Sequence, residues 1–289
     1  LGNVRMVLSE EQKQDIYPAA TLEGSTTAGA LSMINEEKKY YTIDNTKIVN
    51  KPWTNTGFDY PNNNGTPPGN LSYPGGTTPT ATATSSKVYQ LNATTNTMAN
   101  KTGLGVVIKV MAGDAINIFG RSYHKKPTSG GGYSGTTNSL AVLDILNAFV
   151  GTGIVAGKGV SGSQVTGQTG FPTTMTGLIG NQPAQEANRP KAAINWIVLD
   201  EQFKWVSGGF DMVGSASNTN GINNTYTTVD GTRKVHDLST IPTINVPKNG
   251  YIYVWASNES KFNVFFDNLQ VVHTRGAILE ETHYYPFGL

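Results

Sequence analysis

The stretch "GLGVVIKVMAGDAINIFGRSYH", residues 103–124, decides how this chain is read. Leu104, Val106, Ile108 and Val110 fall on alternate positions, Ala112-Gly113-Asp114 supplies a turn, and Ile116 and Ile118 resume the alternation. A period of two puts every second side chain on one face of an extended strand, so the stretch is expected to be a β-hairpin with Lys109 pointing outward. Beyond Pro190 come "AAINWIVLD" (192–200), "QFKWVSGGFDMV" (202–213), "PTINVPKNGYIYVWAS" (242–257) and "KFNVFFDNLQVVHTR" (261–275). These β-rich segments are separated by Gly, Asn and Pro turns, and Lys248-Asn249-Gly250 reads as a hairpin turn before Tyr251, Tyr253 and Trp255. Regular short strands of this kind predict an all-β, antiparallel β-sandwich.

Upstream, "NVRMVL" (3–8) alternates as a strand, "SEEQKQD" (9–15) allows one helical turn before Pro18, and "AATLEGS" (19–25) is short and β-prone. One segment changes period. "SLAVLDILNAFV" (139–150) sets Leu140, Leu143, Leu146 and Val150, flanked by Val142, Ile145 and Phe149, on one stripe, which predicts the single helix, with Asn138 or Ser139 as its N-cap. Two long Gly/Thr/Asn-rich loop excursions are expected, at about 50–100 and 151–190. The first holds one strand, "KVYQL" (87–91). The second contains Gly157, Gly159 and Gly162 at dinucleotide-fingerprint spacing, but it follows a helix and leads into more glycine, so it reads as a loop.

Composition narrows the function. The 289 residues carry 14% charged side chains and a net charge of +1, with scattered Lys and Arg, which argues against a nucleic-acid partner. There is no cysteine, so disulfides, zinc–thiolate centres and cysteine nucleophiles are excluded. No apolar run reaches the roughly 18 residues that a membrane-spanning helix needs.

Catalytic signatures are sparse. His124, His236, His273 and His283 lie far apart without metal-ligand spacing, and no serine-hydrolase elbow occurs. Asp200, Glu201 and Asp211 could pair as glycosidase carboxylates, but they read better as loop and turn carboxylates, and no enzyme is expected. Trp53, Tyr60, Tyr73, Tyr123 and Tyr133 sit among polar residues, where flat rings could stack on a glycan or pin loops to the sandwich.

The ends carry a resemblance. "LGNVRMVLSEEQKQDIYPAATLE" at residue 1 is similar to the segment that follows the Tyr-Asp-His of YD-repeat (RHS) proteins of Bacteroidota. "ILEETHYYPFGL" (278–289) resembles the tyrosine-rich repeat that opens their RHS-associated core. Together the motifs cover about 35 residues and imply an extracellular or cell-surface polypeptide with a domain inserted between YD-type strands, at residues 1–17, 18–274 and 275–289. With no signal-peptide pattern at the start, the chain reads as a processed piece, self-associating through its terminal strands as a homo-oligomer or pairing with neighbouring segments of the parent. The core's self-cleaving Asp-Pro pattern is missing from "YPFGL", so no autoproteolysis is carried over.

The inserted domain has its own likeness. "NVFFDNLQVVH" resembles the last strand of galactose-binding-like jelly rolls, among them carbohydrate-binding modules, and "ATLEGS" the Glu-bearing first strand. The resemblance implies a glycan-binding alternative and a structural Ca²⁺ held by Glu23 and Asp267. Calcium prefers several hard oxygens, which two carboxylates and nearby carbonyls would offer. A buried, hydrogen-bonded Asp267 on the face of Phe265 and Leu269 is the other reading.

Overall fold

A computed structural model describes residues 13–27, 32–59, 85–127, 132–151, 165, 171–216, 224–227 and 231–276. The expected strand at 3–8, the terminal motifs within 1–12 and 277–289, Tyr60, Tyr73, His283 and the Gly157–Gly162 loop lie outside those residues.

The strands in chain order are Gln14–Ile16 (β1), Tyr41–Thr42 (β2), Ile48–Asn50 (β3), Lys87–Leu91 (β4), Thr102–Val110 (β5), Ala115–His124 (β6), Ala192–Asp200 (β7), Trp205–Met212 (β8), Asn224–Thr227 (β9), Gly231–His236 (β10), Ile244–Asn245 (β11), Gly250–Asn258 (β12) and Val264–Thr274 (β13). They form two sheets in an antiparallel β-sandwich, as the alternation predicts. The larger sheet has the order β3-β4-β13-β6-β10-β9, with β1 added to β13 and β11 to β6; the smaller has the order β2-β5-β12-β7-β8. Between them lies the main core, which includes Leu104, Val106, Ile108 and Val110 from β5, Ile116 and Ile118 from β6, and Ile252, Val254, Phe266 and Val271 from β12 and β13.

The 103–124 stretch is not a hairpin. β5 pairs with β12 and β2 in the smaller sheet, whereas β6 pairs with β13 and β10 in the larger one. The 111–114 turn therefore carries the chain across the sandwich, so that both apolar faces meet the same core. Asp114 fixes the turn by accepting from Met111 N at 2.7 Å, and Gly113 takes φ +93°, where a Cβ would be strained. Lys248-Asn249-Gly250 is likewise a crossing, since β11 pairs with β6 and β12 joins β5 and β7. Period two reports which face a residue occupies and says nothing of which strand lies beside it.

Helices cover the outer face of the smaller sheet. Val142–Val150 has Ala141 as its N-cap, without a side-chain cap bond, in place of the expected Asn138 or Ser139. Ile145, Leu146 and Phe149 are its buried residues, while Leu143 is 44% exposed and lies off the stripe. Phe171–Gly180, expected to be loop, is a second helix that buries Met175 and Ile179 in the same layer as Tyr251, Tyr253 and Trp255. Short helical turns at Met33–Glu37 and Met98–Lys101 complete the four α-helices among the described residues. No helix among them is long and apolar enough to cross a membrane.

The N-terminal segment is woven into β13. Gln14–Ile16 is a strand, not a helical turn, and pairs with Val272–Thr274. Further on, Ala20 N donates to Leu269 O and Asn268 N to Ala20 O, at a register shift in β13 between Asp267 and Gln270. Asn268 there adopts φ +50°, a conformation asparagine tolerates better than most residues. The bulge reverses the alternation: Phe265 packs on the outer face with Trp53 and Tyr123, whereas Leu269 enters the inter-sheet core, so the two do not share a face.

Candidate functional site

Three of the five aromatic candidates are described, and all three are buried. Trp53 packs against Tyr123 at 5.0 Å between ring centroids, and Tyr123 lies 5.9 Å from Phe265, with Phe58 beside them. Trp53 Nε1 also donates to Asp59 Oδ1. These rings fasten the 51–59 loop to the outer face of the larger sheet. Tyr133 is 4% exposed, and its hydroxyl lies 2.5 Å from His124 Nδ1. The expected surface ring platform is therefore corrected to loop anchoring at these positions: the apolar ring areas are large enough to stay inside despite polar neighbours in sequence.

Glu23 and Asp267 both bind one segment, residues 85–87. Glu23 Oε1 accepts from Ser86 N and Lys87 N at 2.5 and 2.9 Å, and Oε2 accepts from Ser86 Oγ at 2.6 Å. Asp267 Oδ2 accepts from Ser85 Oγ at 2.6 Å and Oδ1 from Asn268 N at 2.7 Å. Amide N–H groups aimed at a carboxylate present positive hydrogens where a cation would sit, and calcium needs six to eight oxygen ligands. No group of three or more His, Asp or Glu suited to a metal occurs among the described residues. The residues present thus fit a hydrogen-bonded clamp joining the first strand region to β4 and do not fit a calcium site. Chelation with EDTA is expected to leave the melting temperature unchanged, whereas Glu23→Ala should lower stability by about 1–3 kcal/mol by depriving two half-buried N–H groups of their acceptor. A downward shift with EDTA that calcium reverses would overturn the clamp.

The carboxylates weighed as a hydrolytic pair serve separate tasks. Asp200 Oδ1 accepts from Gln202 N at 3.0 Å and Lys204 N at 2.9 Å, closing the β7–β8 turn. Asp211, at 9% exposure, points between the sheets.

There it meets a constellation that spacing in sequence does not reveal. His236 Nδ1 lies 2.6 Å from Asp211 Oδ2, and His236 Nε2 lies 2.9 Å from Ser122 Oγ. Lys234 Nζ donates to Asp211 Oδ1 at 2.5 Å and to Met212 O at 2.6 Å. Three strands build it: Ser122 continues the inward face of β6, Lys234 and His236 share the inward face of β10, and Asp211 comes from β8 of the opposite sheet. Burial alone would raise the Asp211 carboxyl, but its bonds to His236 and Lys234 more than reverse this and hold it well below the usual carboxylate range. Burial pushes His236 down, partly offset by Asp211, which keeps the imidazole neutral with Nδ1–H toward Asp211 and Nε2 toward Ser122.

In bonding order this is a Ser–His–Asp relay. The serine, however, is 3% exposed and sits inside a strand paired on both sides, opposite Phe266 and Lys234. A nucleophile must reach its substrate, and a ladder-bound amide cannot form an oxyanion hole. As folded, the relay ties the two sheets together. His124 extends the polar end of the interior, with Nε2 2.7 Å from Gly214 O; burial holds this histidine at about 4. His273 Nε2 lies 2.7 Å from Asp114 Oδ2 at the 111–114 crossing.

No protein-family model matches the chain, and neither the curated proteins nor the solved structures contain a match.

Proposed function

We propose that the chain is a non-catalytic structural or adhesive module of an extracellular RHS-like polypeptide, presented as an insertion between two YD-type strands and self-associating through them. The observation that carries this reading is the way the sandwich begins and ends. β1 pairs antiparallel with the end of β13, Gln14 opposite Thr274, and Arg275 N donates to Lys13 O at 2.8 Å. Arg275 also binds Asp15 at 2.6 Å. Lys13 and Arg275 therefore lie side by side at the two ends of the described sandwich, the spacing expected of a domain inserted into a host chain. Among the described residues β1 pairs with β13 alone, and an edge strand of this kind favours strand addition from another copy or from the host.

For the carbohydrate-binding alternative, Trp53, Tyr123 and Tyr133 are buried, which leaves Tyr60 and Tyr73, outside the described residues, as its ring candidates. Light scattering coupled to size exclusion tests the favoured reading. The full chain is expected to run above its 30.9 kDa monomer mass, and a form ending at residue 276 is expected to run as a monomer. A monodisperse monomer for the full chain would sink the self-association.

A further inference from the structure

We propose that Lys234 and Asp211 condense into an intramolecular amide that covalently links the two sheets. The proposal rests on the interior geometry alone and is independent of how the module is displayed.

Lys234 Nζ is 2.5 Å from Asp211 Oδ1, and the two side chains are only 12% and 10% exposed. Met212 O, 2.6 Å from Nζ, fixes the direction of the amine. On the far side of the carboxyl, His236 Nδ1–H binds Oδ2 at 2.6 Å, and Ser122 holds the other ring nitrogen at 2.9 Å. Amine, carboxyl and a proton-donating group are thus locked together with little water, and a reaction between groups held in this way behaves as though the reactants were extremely concentrated.

The atoms balance without a co-reactant. Lys234 passes one ammonium proton to Asp211 Oδ1, the oxygen it already bonds, and the freed amine adds to Cγ, forming the Nζ–Cγ bond. The tetrahedral adduct then moves a second nitrogen proton to Oδ1, the Cγ–Oδ1 bond breaks, and water leaves. Oδ2 remains as the amide carbonyl, and nothing is oxidised or reduced. His236 acts as a catalytic residue by hydrogen-bonding Oδ2 as negative charge gathers on it, and Ser122 is a positioning residue. The product replaces a buried ion pair with a neutral amide, removing the cost of keeping two charges out of water.

The link would close a loop of 23 residues between β8, the edge of the smaller sheet, and β10 of the larger one. In a chain without cysteine it supplies the cross-strand closure that a disulfide provides elsewhere.

Intact mass spectrometry of the denatured full chain tests this directly. The wild type is expected to weigh one water less than its sequence, and proteolysis should release a branched peptide joining Asp211 to Lys234. Lys234→Arg keeps the charge and cannot form this bond, so it should return to the sequence mass. His236→Asn should slow or abolish the loss of water in protein that retains a β-sheet circular dichroism spectrum. A wild type at its full sequence mass, or a deficit that persists in Lys234→Arg, overturns the proposal.

Discussion

Replacing Asp211 with alanine is expected to destabilise the protein by about 3–5 kcal/mol, the range for removing one member of a buried charged pair. Among the described residues the carboxylate bonds both Lys234 and His236. Without it, a lysine 12% exposed keeps only Met212 O, and the His236 Nδ1–H faces an empty space between the sheets. For a domain of this size the change corresponds to a fall in melting temperature of roughly 10 °C. Asp211→Leu combined with Lys234→Met should recover much of the loss, because replacing a buried pair with apolar groups of similar volume removes the desolvation cost as well as the attraction. Chemical denaturation of the three proteins checks this. A single variant within 1 kcal/mol of wild type would mean that the network carries no net stability. The low Asp211 pKa sets the acid side of the behaviour: its contribution is complete above about 4, the unfolded value, and fades as the pH falls below it.

The strands were legible because their apolar residues alternate, and β5, β6, β7, β8, β12 and β13 all fall where that alternation places them. Their neighbours were not. The 103–124 and 248–250 turns look like hairpins locally, but the core needs β5 and β6 on opposite walls. Phe171–Gly180 opens with Phe-Pro and contains two glycines, a poor helical sequence; burial of Met175 and Ile179 against the smaller sheet overrides that weak propensity. The interior relay was half visible. His236 and Asp211 stood out as titratable residues, but Ser122 lies in an ordinary strand 114 residues from the histidine it binds. Only the pairing of β6 with β10, and the stacking of β8 over them, brings the three together. Glu23 and Asp267 were found through resemblance, and their neighbouring partners, Ser86 and Lys87 for Glu23 and Ser85 for Asp267, emerged only from the fold. The rings of Trp53, Tyr123 and Tyr133 were misplaced because polar neighbours in sequence do not report the apolar surface opposite.

Glu37 carries the second large effect, and it appears as a change in pH dependence. This carboxylate is fully buried and accepts from Thr21 N at 2.9 Å, Thr21 Oγ1 at 2.5 Å and Leu22 N at 2.9 Å. Leu22 adopts φ +64°, so the clamp also holds a strained turn in the segment that crosses the bulge of β13. Burial pushes Glu37 up to about 7 from the ordinary 4.5, against the pull of those three bonds and with a further push from Glu23. The folded protein therefore binds this proton more tightly than the unfolded chain. Its contribution is complete below 4.5 and is lost as the pH rises through 7, a change of about 3 kcal/mol. His124 has the opposite sign. Held at about 4 against an ordinary 6.5, it contributes fully above 6.5 and loses that contribution as the pH falls toward 4. Across pH 5–6.5 the Glu37 slope opposes those of His124 and of His236, which burial also lowers, and offsets part of them in the wild type. Glu37→Gln removes that offset and leaves an amide N–H group facing the Leu22 N–H donor. The variant is expected to lose stability steadily as the pH falls from 6.5 to 5, and to lie closer to wild type at pH 8 than at pH 5. Urea midpoints measured at pH 5, 6.5 and 8 decide the matter: parallel profiles for the two proteins would show that Glu37 takes up no extra proton on folding.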